Sequence, residues 1–206
     1  MYVGRFVVLG RTDGGEWYLG YRVSSRSFPN RTIRAGTDRA VVVPTADAAP
    51  DTSETPNPYI SYNCLRADQG RIVVANGSHV DPIIERVSDG YGLLGAITLS
   101  LFSLGYERDQ YNTPRIVAAL DGGAGQGYMG IVAEDRVCVR RMEVEPGQAY
   151  LLATYELNDP APIAIEGDTP EAVCNAIYDA EYEHPVAALA AFPSGPYVEM
   201  AARSAR

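Results

Sequence analysis

Apolar and polar residues alternate with period two over residues 2–10 and 17–23, so both stretches read as β-strands. Thr12-Asp13-Gly14-Gly15 between them is a hairpin turn. A short apolar strand follows at 40–43, and residues 44–58, with four prolines, make a surface loop. Residues 59–65 and 71–75 repeat the hairpin pattern around Asp68-Gln69-Gly70. The period then changes to 3.6. Pro82, Ile83, Ile84 and Val87 predict a helix with Ser78 or Asp81 near its N-cap. Leu93, Leu94, Ile97, Leu101 and Phe102 predict a second helix, apolar on most sides and therefore well buried. Strand patterns return at 116–120, 128–133, 137–142 and 149–155, with turns at 122–127 and at Glu134-Asp135. A proline-rich crossing at 159–162 leads to Thr169-Pro170-Glu171, a helix start with proline at its first position. That helix carries Val173, Ile177 and Tyr178, and His184-Pro185 opens a last, alanine-rich helix. The tail after about residue 193 is expected to be mobile.

Strands, two helices, strands and two helices, with hairpin connections throughout, predict an α+β fold with antiparallel sheets and helices packed outside them. No repeat or internal linker divides the chain, so residues 1–206 are expected to form a single domain. Two sheets stacked between helix layers would use every element.

Composition adds a compartment and a kind of ligand. No run of about 18 apolar residues is present, and residues 1–10 read as a first strand rather than a signal peptide. A cytoplasmic location follows as the expectation. Net charge is −9, yet all 17 basic residues are arginine. An acidic, lysine-free surface suits concentrated salt and disfavours nucleic acid and anionic membranes. Residues 1–39 hold seven arginines against Asp13, Glu16 and Asp38, a net of +4, so the remainder carries −13. A positive patch on an acidic body focuses small anions. Cys64, Cys138 and Cys174 lie far apart with no Cys-x-x-Cys pair, which supports neither a disulfide framework nor a zinc site.

The densest chemistry is in residues 22–31, RVSSRSFPNR, a loop of arginines, serines and an asparagine that presents many donors to an anion. Polar clusters also stand at strand ends: Tyr59, Tyr62 and Asn63; Asn76, Gly77, Ser78 and His79; Tyr106 and Glu107; Thr113-Pro114-Arg115. Each alone reads as a turn, a cap or a surface pair. Together they offer anion ligands, base-reading amides, a phenol and a carboxylate, an inventory suited to a nucleotide and to proton transfer. Other motifs are weaker. Gly125-Gln126-Gly127-Tyr128-Met129-Gly130 matches the dinucleotide fingerprint, but a strand pattern follows where that motif needs a helix. His79 and Asp81 have only His184 to join them as metal ligands, so neither a metal nor another cofactor is expected.

MYVGRF at the start, YRVSSRSFPNR at 21–31, NPYISYNC at 57–64, NGSH at 76–79, and YE with NTPRI at 106–116 resemble the archaeal-type IMP cyclohydrolases. YMGIV at 128–132 continues the resemblance more weakly. It implies a four-layer αββα sandwich like that of the N-terminal-nucleophile hydrolases. It also implies cyclisation of 5-formamidoimidazole-4-carboxamide ribonucleotide (FAICAR) to inosine 5′-monophosphate and water. Those hydrolases expose Thr, Ser or Cys at the mature N-terminus, whereas Met1-Tyr2 stands here, so no covalent intermediate is expected. By chemistry and resemblance, Arg31, Glu107 and Tyr59 are the catalytic candidates. Arg31 would stabilise charge at the reacting oxygen, and Glu107, assisted by Tyr59, would move protons. Arg22, Arg26, Asn30, Asn63, Asn76, Gly77, His79 and Arg115 are the substrate-binding candidates. A homo-oligomer is expected. An amide hydrolase of the same fold and a non-catalytic purine nucleotide sensor are the competing readings.

Overall fold

Successive side chains of β1 (Phe6–Arg11) enter two different cores, Val7 and Leu9 on one side and Phe6 and Val8 on the other. An extended strand presents alternate residues to opposite faces, and that division runs through the molecule. The computed structural model describes residues 1–46, 48 and 61–205. Among these, β1, β2 (Trp17–Ser24), β10 (Ala149–Ala153), β11 (Ala161–Pro162), β12 (Pro185–Ser194) and β13 (Tyr197–Ser204) form one antiparallel sheet, in the order β11-β10-β1-β2-β12-β13. The second antiparallel sheet runs in simple sequence order through β3 (Arg31–Ala35), β4 (Arg39–Pro44), β5 (Tyr62–Asp68), β6 (Arg71–Ala75), β7 (Arg115–Asp121), β8 (Gln126–Val132) and β9 (Val137–Met142).

The two sheets bury one core between them, with Val7, Leu9, Leu19 and Leu189 meeting Ile72, Val74, Ile116 and Leu120. Helices α1 (Val80–Ser88) and α2 (Leu93–Leu104) cover the other side of the second sheet, over Val73, Ala75, Val117 and Ala119. Helix α3 (Pro170–Asp179) covers the other side of the first, where Val173, Cys174 and Ile177 meet Val8, Ala188 and Ala190. The expected α+β class with antiparallel sheets is therefore present, with three helices among the described residues. None of them is long and apolar enough to cross a membrane.

Several local expectations need correction. The alanine-rich run after His184 is the strand β12, not a helix. Ala187, Leu189 and Ala191 face the inter-sheet core while Ala188, Ala190 and Phe192 face α3, so both faces are buried. A strand buried on both faces loses its polar alternation and cannot be told by period from a buried helix. The stretch after residue 193 is β13, paired with β12 along eight residues and joined to the other sheet by Thr32 Oγ1 and Ser204 Oγ at 2.7 Å. Strand β3 begins at Arg31, inside what reads as loop. Helix α1 has His79 at its N-cap, with no side-chain cap bond, rather than Ser78 or Asp81. Helix α2 is only half covered: Leu94, Leu99, Phe102 and Leu104 are exposed, Phe102 at 75 %. The Gly125–Gly130 motif needs no such correction: Gly125 ends the β7–β8 turn and Gln126–Gly130 lie in β8, the strand expected there. Tyr59 and Ile60, expected to open β5, lie outside the described residues.

The β5–β6, β7–β8 and β12–β13 turns gather at one end of the sheets. Gln69 and Gly70 turn β5 into β6 with φ of 48° and 79°, the left-handed region that glycine tolerates best. Gly122 N donates to Gly70 O at 3.0 Å, and a Cβ at Gly70 or Gly122 would strike Gly195 O or Pro193 Cβ at 2.8 Å. Glycine thus lets the turns of the two sheets touch. The opposite end holds the strand termini carrying Arg5, Ser24, Arg31, Asn76 and Arg115.

Arg22 belongs to neither end. Its guanidinium donates to the carbonyls of Ile177, Ala180 and Tyr182 at 3.3, 2.7 and 2.5 Å and lies over the Phe6 ring. It satisfies the last turn of α3 from below, so the structure gives Arg22 a place at a helix terminus, away from the lining of the cavity described below. Burial pushes its pKa down to about 10. Arg22→Ala should cost about 3 kcal/mol in urea unfolding, because several carbonyls lose a fully buried cationic partner. A loss below ~1 kcal/mol would show that water replaces the guanidinium freely.

Candidate active site

Gly4, with φ of 68°, brings the chain so close to Thr154 and Tyr155 that any Cβ there would collide with both. The next residue, Arg5, is thereby aimed at the ends of β6 and β7. Its Nη1 donates to Asn76 O at 2.6 Å and its Nη2 to Glu107 Oε2 at 2.9 Å. The other oxygen, Glu107 Oε1, accepts from Arg115 Nη1 at 3.3 Å, and Arg115 Nε donates to Gly105 O at 3.0 Å. One carboxylate, 4 % exposed, thus holds two guanidinium groups. Burial works against the Arg5 charge, but the facing carboxylate more than offsets it and raises its pKa.

Asn76 continues the β6–β7 ladder with its side chain. Its Oδ1 accepts from Ile116 N at 2.8 Å and its Nδ2 donates to Pro114 O at 2.9 Å. Both polar atoms of its amide therefore bond to backbone. His79 Nε2 lies 3.0 Å from Ile116 O, so the proton sits on Nε2 and Nδ1 is a bare lone pair, buried without a partner among the described residues. A Cβ at Gly77 would stand 3.3–3.5 Å from Glu107 Oε1, His79 Nδ1 and Arg115 Nη1, so these polar atoms converge above that glycine. Burial, then the Arg115 and Arg5 charges, push the His79 pKa down to about 3.

Arg5 also lines a cavity of about 460 Å³ together with Tyr2, Ser24, Arg31, Thr113 and Tyr155. Ser24 Oγ is buried there without a hydrogen-bond partner among the described residues. Arg31 Nε donates to Phe28 O at 2.9 Å. Burial lowers the Arg31 pKa and Arg5 lowers it further, while Tyr62 and Tyr21 oppose the shift. Those phenols are bonded to each other at 2.7 Å beneath the arginines. Two desolvated guanidinium groups at one cavity repel, and an anion placed between them would relieve both.

The residues singled out in the sequence divide into groups. Arg31 lines the cavity. Glu107, Asn76, Gly77, His79 and Arg115 form one cluster directly behind Arg5, which separates Glu107 from the cavity. Arg26 lies at the rim, 4.1 Å over the Tyr2 ring. Asn30 is exposed, its carbonyl accepting from Thr45 N, and does not line the cavity. Asn63 faces α1, where it and Arg66 share Asp81 Oδ1, and it does not line the cavity. Tyr59 lies outside the described residues. Arg5, Tyr2, Asp109 and Tyr155 carry no role in the sequence reading, and Thr113 enters it only as part of a polar cluster. Tyr155 ends a strand pattern just as Tyr59 begins one, and the same criterion applied evenly would have found it. Arg5 had no such signal, since an arginine before a first strand is unremarkable until Glu107 is seen opposite. No cluster of three or more His, Cys, Asp or Glu side chains suited to a metal occurs among the described residues.

Residues 2–196, which include both the cavity and the cluster behind it, match the family of IMP cyclohydrolase-like proteins. The chain belongs to that family. An IMP cyclohydrolase of Methanothrix thermoacetophila is 41 % identical over 207 residues, covering 100 % of both chains. Those of Haloquadratum walsbyi and Halobacterium salinarum are 43 % and 47 % identical, over 95 % and 91 % of this chain and 92 % and 90 % of their own.

His79 sets an acid limit on this family member's stability. The unfolded imidazole takes a proton near pH ~6.5 and the folded one only near 3, so the unfolded chain binds protons first as pH falls. The His79 contribution is complete above ~6.5 and is lost progressively toward 3, reaching about 2 kcal/mol at pH ~5. Urea unfolding at pH ~7.5 and ~5 should show that extra loss in the wild type and not in His79→Gln. Equal losses in the two proteins would contradict it.

Proposed function

We propose that this chain is an IMP cyclohydrolase: it closes the second ring of FAICAR to give inosine 5′-monophosphate and water. The observation that carries the reading is the pair of desolvated arginines, Arg5 and Arg31, at one cavity, in a chain whose relatives bear that name throughout. The carboxamide nitrogen attacks the formyl carbon within the same molecule. The carbinolamine then expels the former formyl oxygen as water, which carries off one carboxamide proton and the formamido N–H proton, leaving the other carboxamide proton on the new ring nitrogen. Nothing here requires a covalent enzyme intermediate. What accelerates it is holding the two arms in plane and stabilising the oxyanion that forms at the formyl oxygen.

Arg31 is the proposed donor to that oxyanion and Arg5 its neighbour. The substrate phosphate takes the serine-rich loop, where Ser24 Oγ has its bonding capacity unspent and Arg26 stands at the rim. Glu107 takes a different role from the proton carrier expected from the sequence. Both of its oxygens are engaged by arginines and Arg5 stands between it and the cavity, which favours a positioning residue that fixes Arg5. Tyr59 remains the proposed phenol partner. The layered core, with apolar clusters between the sheets and beneath each helix group, supports a four-layer αββα reading like that of the N-terminal-nucleophile hydrolases. It supports one domain over the whole chain as well.

Purified protein given FAICAR should change the ultraviolet absorbance as the purine ring forms, and no change on addition would refute the reading. Glu107→Gln should lower kcat by roughly 10² through a misplaced Arg5, with the shape of the pH–rate profile retained. Loss of one limb of that profile would return Glu107 to proton transfer.

A homo-oligomer has a surface suited to it in α2. Twelve consecutive residues carry no charge on a chain of net −9, and Leu94, Leu99, Phe102 and Leu104 are exposed along it. Two copies meeting there avoid the repulsion that the rest of the acidic surface imposes. Sedimentation should show Phe102→Glu as a smaller species than the wild type, and a monomeric wild type would exclude the contact.

A further inference from the structure

The wall of the cavity opposite the arginines holds a hydrogen-bonded chain whose direction is fixed. Asp109 Oδ1 accepts from the backbone N–H groups of Tyr111 and Thr113, both at 3.0 Å, and its Oδ2 accepts from the Thr113 hydroxyl at 2.7 Å. Burial opposes the Asp109 charge, but the bonds from Thr113 and Tyr111 prevail and hold its pKa below the usual carboxylate value. Asp109 is therefore a carboxylate, without a proton to give. A threonine hydroxyl has one hydrogen, and here that hydrogen is spent on Asp109. Tyr155 Oη lies 3.0 Å from the same Thr113 oxygen, so in this contact the tyrosine must donate. The Tyr155 proton is thereby directed into the wall, and only oxygen lone pairs face the cavity that Tyr155, Thr113 and Asp109 all line.

The backbone supports the arrangement. Thr113 is 1 % exposed and its carbonyl accepts from Glu107 N at 2.8 Å, which ties this wall to the carboxylate behind Arg5. Tyr2 stacks on Tyr155 at 5.9 Å and Tyr111 meets it edge-on at 6.5 Å, which fixes the phenol ring from two sides. An oriented ring with a committed proton is a selective reader, because a buried polar group facing the wrong partner costs far more than one facing none.

We propose that Tyr155 is a specificity-determining residue that accepts a hydrogen bond from an O–H or N–H donor of the bound nucleotide, and that Asp109 is the positioning residue that imposes this direction through Thr113. The identity of the nucleotide rests on the cyclohydrolase reading above; the direction of the chain does not. Asp109→Asn reverses that direction. The amide oxygen keeps the two backbone bonds, while its NH2 donates to Thr113, which then donates to Tyr155, whose own proton must turn into the cavity.

Calorimetric titration of the full chain with inosine 5′-monophosphate tests this. Tyr155→Phe, which only removes the acceptor, should weaken binding about threefold, and Asp109→Asn, which opposes donor to donor, about tenfold or more. Combined with Tyr155→Phe, Asp109→Asn should add nothing, since its effect passes through the lost hydroxyl. With 2′-deoxyinosine 5′-monophosphate, a vanished Asp109→Asn penalty assigns the donor to the 2′-hydroxyl and a retained one to another group of the nucleotide; both support the acceptor. The proposal is overturned if Asp109→Asn binds within about twofold of the wild type, or if its penalty persists alongside Tyr155→Phe. Should Asp109→Asn fail to fold, Thr113→Val cuts the same chain, and unchanged affinity in that variant overturns it equally. A wild type that binds no inosine 5′-monophosphate would instead refute the cyclohydrolase reading and take the ligand assignment with it.

Discussion

An arginine cannot be kept out of water at the wall of a cavity unless something holds it there, and Arg5 is such an arginine. Glu107 supplies that constraint. It is a single buried carboxylate with one oxygen on Arg5 and the other on Arg115. Removing Glu107 would leave the buried Arg5 charge without its carboxylate, at a cost of several kcal/mol. The surroundings are arranged accordingly. Gly4 gives up its side chain so that Arg5 can approach, Asn76 gives its carbonyl to Arg5 and its amide to the neighbouring strand, and Gly77 leaves the space above it to polar atoms. The price is a local lack of tolerance, visible in His79, which can stay buried here only as the neutral imidazole.

The cavity is therefore asymmetric. One wall is cationic and fixed by the Glu107 cluster; the other is a hydroxyl wall fixed by Asp109 and the stacked tyrosines. Glu107 N bonds to Thr113 O, so the two walls share a backbone contact, and a shift in one is felt in the other. Such cross-ties suit a reaction in which two arms of one substrate must be held in a common plane.

What the sequence disclosed follows from which physical signals are local. Strands with one polar face, such as β9, and turns with special backbone angles, such as Gln69-Gly70, are written in a few neighbouring residues. Helix α3 announces itself through Thr169, whose side chain accepts from Ala172 N, and through Pro170 at its first position. Strand β12 does not, because burial on both faces erases the period and alanine is favoured by close packing under α3 as well as by helices. Gly20 of β2 shows how close that packing is, since Ile177 occupies the place of its missing Cβ. The same limit applies to the site. Arg31 stood out in a donor-rich loop and Glu107 in a polar cluster at a strand end, but the division of labour among arginines depends on contacts made across the fold. Arg22, in the same loop motif, serves a helix terminus 155–160 positions away. Arg5, which had no local mark, faces a carboxylate 102 positions away.

The glycine turns at the far end give the two sheets a fulcrum. Gly70 meets the backbone of Gly195 there and Gly122 the ring of Pro193, with no side chain from either glycine between, while at the other end the same sheets hold an open space. Strands of five to seven residues, roughly 20 Å long, then behave as the arms of a pair of tongs. Any side chain at Gly70 or Gly122 would act as a wedge in the joint, and the displacement would be delivered at the tips, where Arg5 and Arg31 stand. The width of the jaws is thus set by residues that never approach what the jaws hold.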